Sequence, residues 1–285
     1  MNYEEFPVFI PFGTDHLCAI VCAPTSANDV DLGAVLLTGG NYTRTHRNRM
    51  WVKAARALAA EGIPSIRLDY HGIGDSTGTA HFELEVPFDA DAVCAAEFLQ
   101  KATGVQYLAL AATCFGGRGA MAAAAQLPDA VSATIFPVPL VVPKETKSLR
   151  FRARVKTRLR QFKVTSALLE RPSVTRTRSR IAARRDDSAD QVSPRFKHDL
   201  LTFSRRGTVR FVFGEDSPDL PGLRRCLAEI DDRLTDQQKT RITLDLVLGT
   251  DLQRFQSLSD QEIVVERTVD SVAETARTLA LQRTG

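Results

Sequence analysis

Several features that define other protein classes are scarce or missing in this chain. No run of about 18 consecutive apolar residues occurs, so no segment has the length of a transmembrane helix. The first 13 residues carry two acidic residues and no basic one, whereas an export signal starts with a basic region. The five cysteines are an odd number without a C-x-x-C pair, which argues against a disulfide or zinc framework. We therefore expect reduced thiols and a cytoplasmic location.

The remaining composition is typical of a folded domain. Of 285 residues, 44 % are hydrophobic and 25 % are charged, which excludes a disordered, collagenous or coiled-coil chain. The length suits one large domain or two small ones, and no internal repeat is visible. No pair of histidines or cysteines stands beside a carboxylate at metal-ligand spacing, so neither a metal nor another cofactor is expected.

The net charge of +3 conceals a basic segment in an acidic chain. Residues 144–185 carry fifteen Lys and Arg against two acidic residues, which leaves 22 basic and 32 acidic residues and a net charge of −10 elsewhere. A solvated helical face explains such a segment as well as a site for an anion does. The anions considered are coenzyme A, an acidic acyl carrier protein, nucleic acid and a membrane. Nucleic acid is not expected, because few aromatic residues interleave and the acidic remainder repels a polyanion.

Strand-like and helical patterns alternate along most of the sequence. An antiparallel hairpin is predicted near the start, followed by apolar strands that alternate with helices, which is typical of a parallel sheet covered by helices. The predicted strands after the hairpin lie at 33–38, 64–69, 106–112, 131–138, 208–214 and 243–249. We therefore predict an α/β fold with a mostly parallel central sheet, divided into core residues 1–139, a basic helical lid at 140–206 and core residues 207–285.

The most informative stretch is LALAATCFGGRGAM, residues 108–121. A buried strand, a sharp turn and a helix of small residues have the pattern of a nucleophile elbow, with Cys114 at the nucleophile position. The N-terminus of the following helix is expected to lower the pKa of the thiol and favour the thiolate. The N–H of Phe115 and an N–H from Gly40 or Asn41, which follow the third strand, are the expected oxyanion donors. A buried cysteine that packs as a small apolar residue is the simpler alternative.

These motifs resemble the α/β-hydrolase family. The similarity rests on TGGNYTRTHR, RLDYHGIGDS and ATCFGG, and it is greatest to the small hydrolases encoded beside exosortase or biosynthetic genes. Dienelactone hydrolases are also similar in their cysteine elbow. The resemblance implies a catalytic acid after the strand at 208–214, with Asp216 the first candidate and Asp219 the second. It also implies a histidine after the last strand, where this chain has Leu252 instead, and no histidine follows His198.

Three interpretations follow from the missing histidine. The Cys114 thiolate acts without a base, or His71 or His198 replaces the missing residue, or the triad has decayed. The first two imply an acyl thioester or ester hydrolase or acyltransferase, whose acyl substrate is carried by coenzyme A or an acidic carrier protein. The alternatives are a silent pseudo-hydrolase that binds a ligand or partner, and a non-covalent lyase or cyclase that uses the same cavity. The oligomeric state is left open.

Overall fold

The computed structural model describes residues 2–25, 31–40, 42–80, 83–143, 190–252, 255 and 257–284. The basic segment 144–185 lies outside these residues, so the lid of 140–206 stays a prediction. Asn41, one of the two candidates for the second oxyanion donor, also lies outside them.

Ten strands are described. They are β1 (Tyr3–Phe12), β2 (Asp15–Pro24), β3 (Leu32–Leu37), β4 (Ser65–Leu68), β5 (Tyr107–Ala112), β6 (Ala130–Ile135), β7 (Val141–Pro143), β8 (Asp190–Val192), β9 (Thr208–Gly214) and β10 (Ile242–Val247). The helices among the described residues are α1 (Met50–Ala60), α2 (Asp89–Thr103), α3 (Phe115–Gln126), α4 (Pro194–Phe203), α5 (Leu220–Ile230), α6 (Asp236–Thr240) and α7 (Leu258–Thr284). Two short 3-10 turns, Arg47–Arg49 and Asp231–Arg233, complete the regular structure described.

Eight strands form one sheet in the order β1-β2-β4-β3-β5-β6-β9-β10. The pairs β1/β2 and β2/β4 are antiparallel, whereas every later pair, from β4/β3 to β9/β10, is parallel. The carboxyl ends of the parallel strands therefore lie along one edge of the sheet, where α/β proteins bind their ligands. The central strands β3 and β5 are almost entirely apolar and buried, as expected for strands covered on both faces.

Two groups of helices flank the sheet. Helix α1 packs against α7, while α2 packs against α3, which in turn packs against α4. Trp51 and Leu58 of α1 join Leu36 of β3 and Phe136 in one fully buried cluster. Each apolar side chain buried in this way contributes about 1.5–3 kcal/mol to folding. The predicted α/β class, a mostly parallel sheet covered by helices, is confirmed.

The chain divides into two compact units. The first comprises Met1–Leu140 and Ser193–Gly285 and contains the eight-stranded sheet. The second comprises Val141–Val192, and its described part is the antiparallel pair of β7 and β8. Helix α4 belongs to the first unit, because its residues pack against α3.

All five cysteines lie in the described residues and are free thiols there. Among the helices described, none combines the length and hydropathy needed to span a bilayer.

Candidate active site

Cys114 occupies a strained turn between the carboxyl end of β5 and the start of α3. Its φ is +52° and its ψ is −130°, a region that a residue with a side chain adopts only where the surroundings impose it. The Cys114 N–H donates to the carbonyl of Pro137 at 2.9 Å, and the Cys114 carbonyl accepts from the N–H of Gly117 at 2.9 Å. The residue is partly exposed. The local geometry is that of a nucleophile elbow, with the thiol at the ligand-binding edge of the sheet.

Small residues around Cys114 allow the elbow to pack directly against the end of β3. A Cβ atom added to Gly116 would lie 2.2 Å from the carbonyl oxygen of Thr38. A Cβ atom added to Gly39 would lie 3.1 Å from Cβ and 3.6 Å from Sγ of Cys114. The glycine pair after β3 therefore lies beside the sulfur, as the sequence motif predicts for an oxyanion loop.

Two backbone N–H groups are the candidates for oxyanion donors, one on each side of the contact between the elbow and the loop after β3. The N–H of Phe115 hydrogen-bonds to the sulfur of Cys114. The N–H of Gly40, next to the glycine that contacts the sulfur, has no acceptor among the described residues. The start of this loop is fixed by Tyr70, whose buried hydroxyl donates to the carbonyl of Thr38 at 3.0 Å. This arrangement suits an oxygen that becomes negative during acyl transfer.

The electrostatic surroundings of the thiol differ from the expectation. Burial raises the pKa of Cys114, and the nearby carboxyl group of Asp219 raises it further, while the Phe115 N–H lowers it. Desolvation is the largest of the three effects, so the prediction of a lowered pKa is wrong for the described surroundings. A raised pKa means that the thiolate is scarce near neutral pH and that the thiol requires a proton acceptor.

Asp219, rather than Asp216, is the carboxylate whose charge influences the pKa of the Cys114 thiol. Both follow β9, but Asp216 is exposed, and its N–H donates to the carbonyl of Thr250 at 3.2 Å. Asp219 is partly buried immediately before α5, and burial raises the pKa of its carboxyl group. It was the second candidate from sequence, because the family motif places the acid close behind the strand.

The substitution Asp219→Asn is expected to lower the pKa of Cys114. Above its own pKa the Asp219 carboxyl is negative and disfavours the thiolate, and the amide removes that charge while keeping the shape. The rate of Cys114 alkylation by iodoacetamide, followed by peptide mass spectrometry, should therefore rise at lower pH than in the wild type. Asp216→Asn is the matched control and should leave the pH dependence of the alkylation rate unchanged. An unchanged profile for Asp219→Asn would show that the two groups are not coupled.

The loop that carries the family's histidine is turned into the core. Leu252, at the histidine position, is fully buried with φ +47°, and Phe255 is buried with φ +46°. The N–H of Leu252 donates to the side-chain oxygen of Thr250 at 3.1 Å, which fixes the turn. The position that the resemblance assigns to the histidine therefore holds a buried hydrocarbon side chain, which cannot accept a proton.

His46 lies next to the elbow but is not a base. Its Nδ1 accepts the N–H of Arg47 at 2.8 Å, and its Nε2 lies 3.2 Å from the hydroxyl of Thr113. Because Nδ1 is an acceptor, Nε2 carries the hydrogen and donates to Thr113. Burial lowers the pKa of His46 to about 4, so the ring is neutral at ordinary pH. Contacts with Tyr42 and Phe255 hold it in place, and its role is to support the residue before Cys114.

His71 forms a dyad with a buried aspartate that the sequence reasoning missed. Asp91, in the first turn of α2, is fully buried. It accepts the His71 backbone N–H at 2.7 Å and lies 2.9 Å from His71 Nδ1. With Nδ1–H directed at a carboxylate, Nε2 is the basic nitrogen of the neutral ring. No local motif marks Asp91, because its partner is twenty residues away. The other candidate base, His198, is exposed on α4.

The dyad and the elbow share one aromatic cluster. The Phe88 ring stacks on Tyr70 at 4.6 Å and meets His71 edge-on at 5.1 Å and Phe115 edge-on at 5.7 Å. The Tyr70 hydroxyl also lies within electrostatic range of both Asp91 and Cys114, which raise its pKa together with burial. In the sheet, β4 and β5 are separated only by β3. His71 therefore lies on the same edge as the thiol and two strands away, a backbone separation of roughly 10 Å.

One group of side chains that could ligate a metal is paired with an arginine. One ligand atom each from Cys18, Asp69 and Asp75 lie within 4.8 Å of one another. The guanidinium group of Arg44 forms ion pairs with both carboxylates. The guanidinium therefore offsets one of the two carboxylate charges and lies against the oxygens that a metal ion would contact.

The chain is similar in fold to several solved hydrolases. A proline iminopeptidase from Mycobacterium smegmatis is 15 % identical, with a TM-score of 0.60 over 96 % of this chain and 100 % of the other. A dienelactone hydrolase from Anabaena variabilis is 14 % identical, with a TM-score of 0.60 over 95 % and 97 %. The thioesterase domain of the curacin biosynthetic pathway is 14 % identical, with a TM-score of 0.58 over 96 % and 99 %. These identities establish the fold alone.

Sequence comparison identifies the family. None of the curated proteins matches the chain. The family model described as serine aminopeptidase, S33, matches residues 39–245, a range that contains the oxyanion loop, the dyad, the elbow and Asp219. The chain therefore belongs to the serine aminopeptidase S33 family of α/β-hydrolases.

Proposed function

We propose that this hydrolase cleaves or transfers acyl groups from thioesters or esters, with Cys114 as the nucleophile and His71 as the base. The observation that carries the proposal is the strained backbone of Cys114, which presents the thiol beside the N–H of Phe115 and the loop that begins at Gly39. A cysteine that served only to fill space would not require such a conformation. A thioester is the preferred substrate class, because its carbonyl is already activated toward attack by sulfur.

The proposed base is supported by its orientation. Asp91 accepts a hydrogen bond from Nδ1 of His71 and so selects the tautomer in which Nε2 is the basic nitrogen. Asp91 acts through His71 and is therefore a positioning residue. The raised pKa of Cys114 is a second reason to propose a base, because a thiol that is mostly protonated requires a proton acceptor.

The reaction follows from these roles. Nε2 of His71 takes the proton of Cys114 as the sulfur attacks the carbonyl carbon, and a carbon–sulfur bond forms. The carbonyl oxygen becomes negative and accepts hydrogen bonds from Phe115 and Gly40. The bond to the leaving thiol or alcohol then breaks, and His71 returns the proton to it. A water molecule, deprotonated by His71, releases the acid and regenerates the thiol.

The basic segment 144–185 suggests the carrier of the acyl group. Its fifteen basic residues would attract the phosphates of coenzyme A or the acidic surface of an acyl carrier protein. This part of the proposal rests on sequence, because the segment lies outside the described residues.

Intact-mass spectrometry tests the nucleophile. Incubation with acetyl-coenzyme A, and with an uncharged short-chain acetyl thioester, should add one acetyl group to the wild type and none to Cys114→Ala. Cys94→Ala is the control, because Cys94 is also partly exposed but lies on α2. Docking of coenzyme A through the basic segment predicts that added salt slows acylation by acetyl-coenzyme A more than by the uncharged thioester.

The outcomes separate the candidate functions. An adduct that disappears with Cys114→Ala supports covalent catalysis. Turnover that survives Cys114→Ala contradicts it and supports a non-covalent lyase or cyclase. Absence of both adduct and turnover over a broad panel of thioesters and esters overturns the proposal in favour of a binding protein.

A further inference from the structure

A cavity of about 390 Å³ lies at the edge of the sheet opposite to Cys114. It is bounded by the first residues of β6, β9 and β10 and by the C-terminal half of α7. Its volume is within the roughly 300–1,000 Å³ of small-molecule sites in proteins. None of the residues assigned to acyl transfer lines it, so its role is separate from the proposed function.

The cavity exists because α7 meets the sheet here through a polar face. Ser271, Thr275, Thr278 and Gln282 recur every three or four residues along that side of the helix, where a helix packed on a sheet ordinarily presents large apolar residues. The Thr275 hydroxyl donates to Ser132 Oγ at 3.0 Å, so the helix is attached to β6 by hydroxyl groups. Small polar side chains leave space and supply hydrogen-bonding groups.

Two arginines line the cavity without a carboxylate partner among the described residues. Arg206 is fixed through Nη2, which donates to three carbonyl oxygens at the end of α3 at 2.6–3.1 Å. Arg241 is fixed through Nη1, which donates to the carbonyl oxygens of Ser204 and Arg205. In both arginines, carbonyl oxygens accept hydrogen bonds from one guanidinium nitrogen. No carboxylate among the described residues neutralises either guanidinium group.

The acidic groups nearby are committed to a third arginine. Glu274, the carboxylate among the lining residues, accepts from Arg210 Nη2 at 2.8 Å. Asp245 lies 3.8 Å from Arg210 Nε. The cavity wall therefore carries an excess of positive charge from Arg206 and Arg241.

We propose that this cavity binds a small phosphate-bearing anion, either free phosphate or a phosphate monoester, through the guanidinium groups of Arg206 and Arg241, with the polar face of α7 as the opposite wall. Guanidinium groups bind phosphate oxygens by charge-assisted hydrogen bonds, and preformed arginines lose little entropy in doing so.

Thermal unfolding and isothermal titration calorimetry test the site. Inorganic phosphate and ribose 5-phosphate, each compared with chloride at equal ionic strength, should raise the unfolding temperature in a saturable way. Saturable binding of inorganic phosphate identifies the free anion as sufficient, whereas binding of ribose 5-phosphate alone shows that the cavity takes a monoester. Either result supports the proposal.

Variants locate the binding. Arg241→Gln is expected to weaken binding about ten- to hundredfold, the loss of one charge-assisted contact. Thr278→Phe, at an exposed position of α7 that lines the cavity, should block binding without removing an arginine. Arg224→Gln, an exposed arginine on α5, is the matched control and should bind normally. Each variant is compared with its own unfolding temperature in chloride, so that loss of stability is separated from loss of binding.

Absence of a saturable effect of both anions would overturn the site, as would binding that is unchanged in both Arg241→Gln and Thr278→Phe. Cys114→Ala should bind phosphate like the wild type, so failure of the acyl-transfer mechanism leaves this proposal intact, and the reverse also holds.

Discussion

Asparagine in place of His71 is expected to lower kcat for thioester hydrolysis by about 10²–10⁴-fold, the usual contribution of a positioned general base. The amide keeps a polar side chain but cannot carry a proton between Cys114 and the leaving group. The change should fall on kcat and leave KM almost unaltered, because the ring exchanges protons and does not hold the acyl chain. Steady-state kinetics with an acyl thioester measures both constants.

Asp91→Asn tests how the ring is oriented. The amide can donate to Nδ1, which favours the tautomer with hydrogen on Nε2 and removes the basic nitrogen from the reaction side. We expect a lower kcat together with a change in the tautomer of His71, seen in nitrogen NMR of the imidazole. A purely structural role for Asp91 would lower stability without this change in tautomer.

His198→Asn is the matched control for the histidine substitution. His198 is exposed on α4, so its replacement should leave kcat unchanged. Loss of activity in His198→Asn with retention in His71→Asn would reverse the assignment of the base. Retention in both, with an inactive Cys114→Ala, would show that the thiol reacts without a histidine.

Arg44→Met is expected to reduce the free energy of unfolding by about 3–5 kcal/mol, the range for breaking a buried ion pair from one side. Asp69 is fully buried, and its carboxylate pairs with the Arg44 guanidinium and accepts the N–H of Asp75 at 3.0 Å. Without the guanidinium, a buried negative charge is left with backbone donors alone. Urea denaturation measures the loss, provided that the transition has one phase.

Arg47→Met provides the comparison within the same loop. Its guanidinium lies 5.9 Å from the centre of the Tyr42 ring and 3.3 Å from the Tyr42 hydroxyl, and it pairs with no carboxylate among the residues described. Its replacement should change stability by about 1 kcal/mol or less. Equal losses in the free energy of unfolding for the two substitutions would mean that the Arg44–Asp69 ion pair does not contribute more to stability than Arg47 does.

The sequence was sufficient for the features that depend on neighbours along the chain. The alternation of apolar strands and helices identified the α/β fold, and the residues around Cys114 identified the elbow, since small residues are required wherever a turn presses against an adjacent strand. The glycine pair after β3 was placed beside the thiol for the same reason. These patterns are local and leave a clear trace in the sequence.

Features that depend on distant contacts were not accessible in this way. Asp91 is one of several acidic residues in α2, and only the fold brings it to His71. The choice between Asp216 and Asp219 depends on which side chain α5 turns toward the sulfur. The sign of the Cys114 pKa shift depends on burial, which outweighs the donor at the helix terminus. Each of these outcomes depends on tertiary contacts and burial, which the spacing of residues in the sequence does not determine.

The inward turn at Leu252 determines what a histidine at this position would do. A histidine at that site would exchange a hydrocarbon side chain for an imidazole ring within a dry interior, at a backbone angle of +47° that suits neither residue. The ring would be enclosed in the hydrophobic core, so Leu252→His is expected to lower stability rather than to supply a base for Cys114.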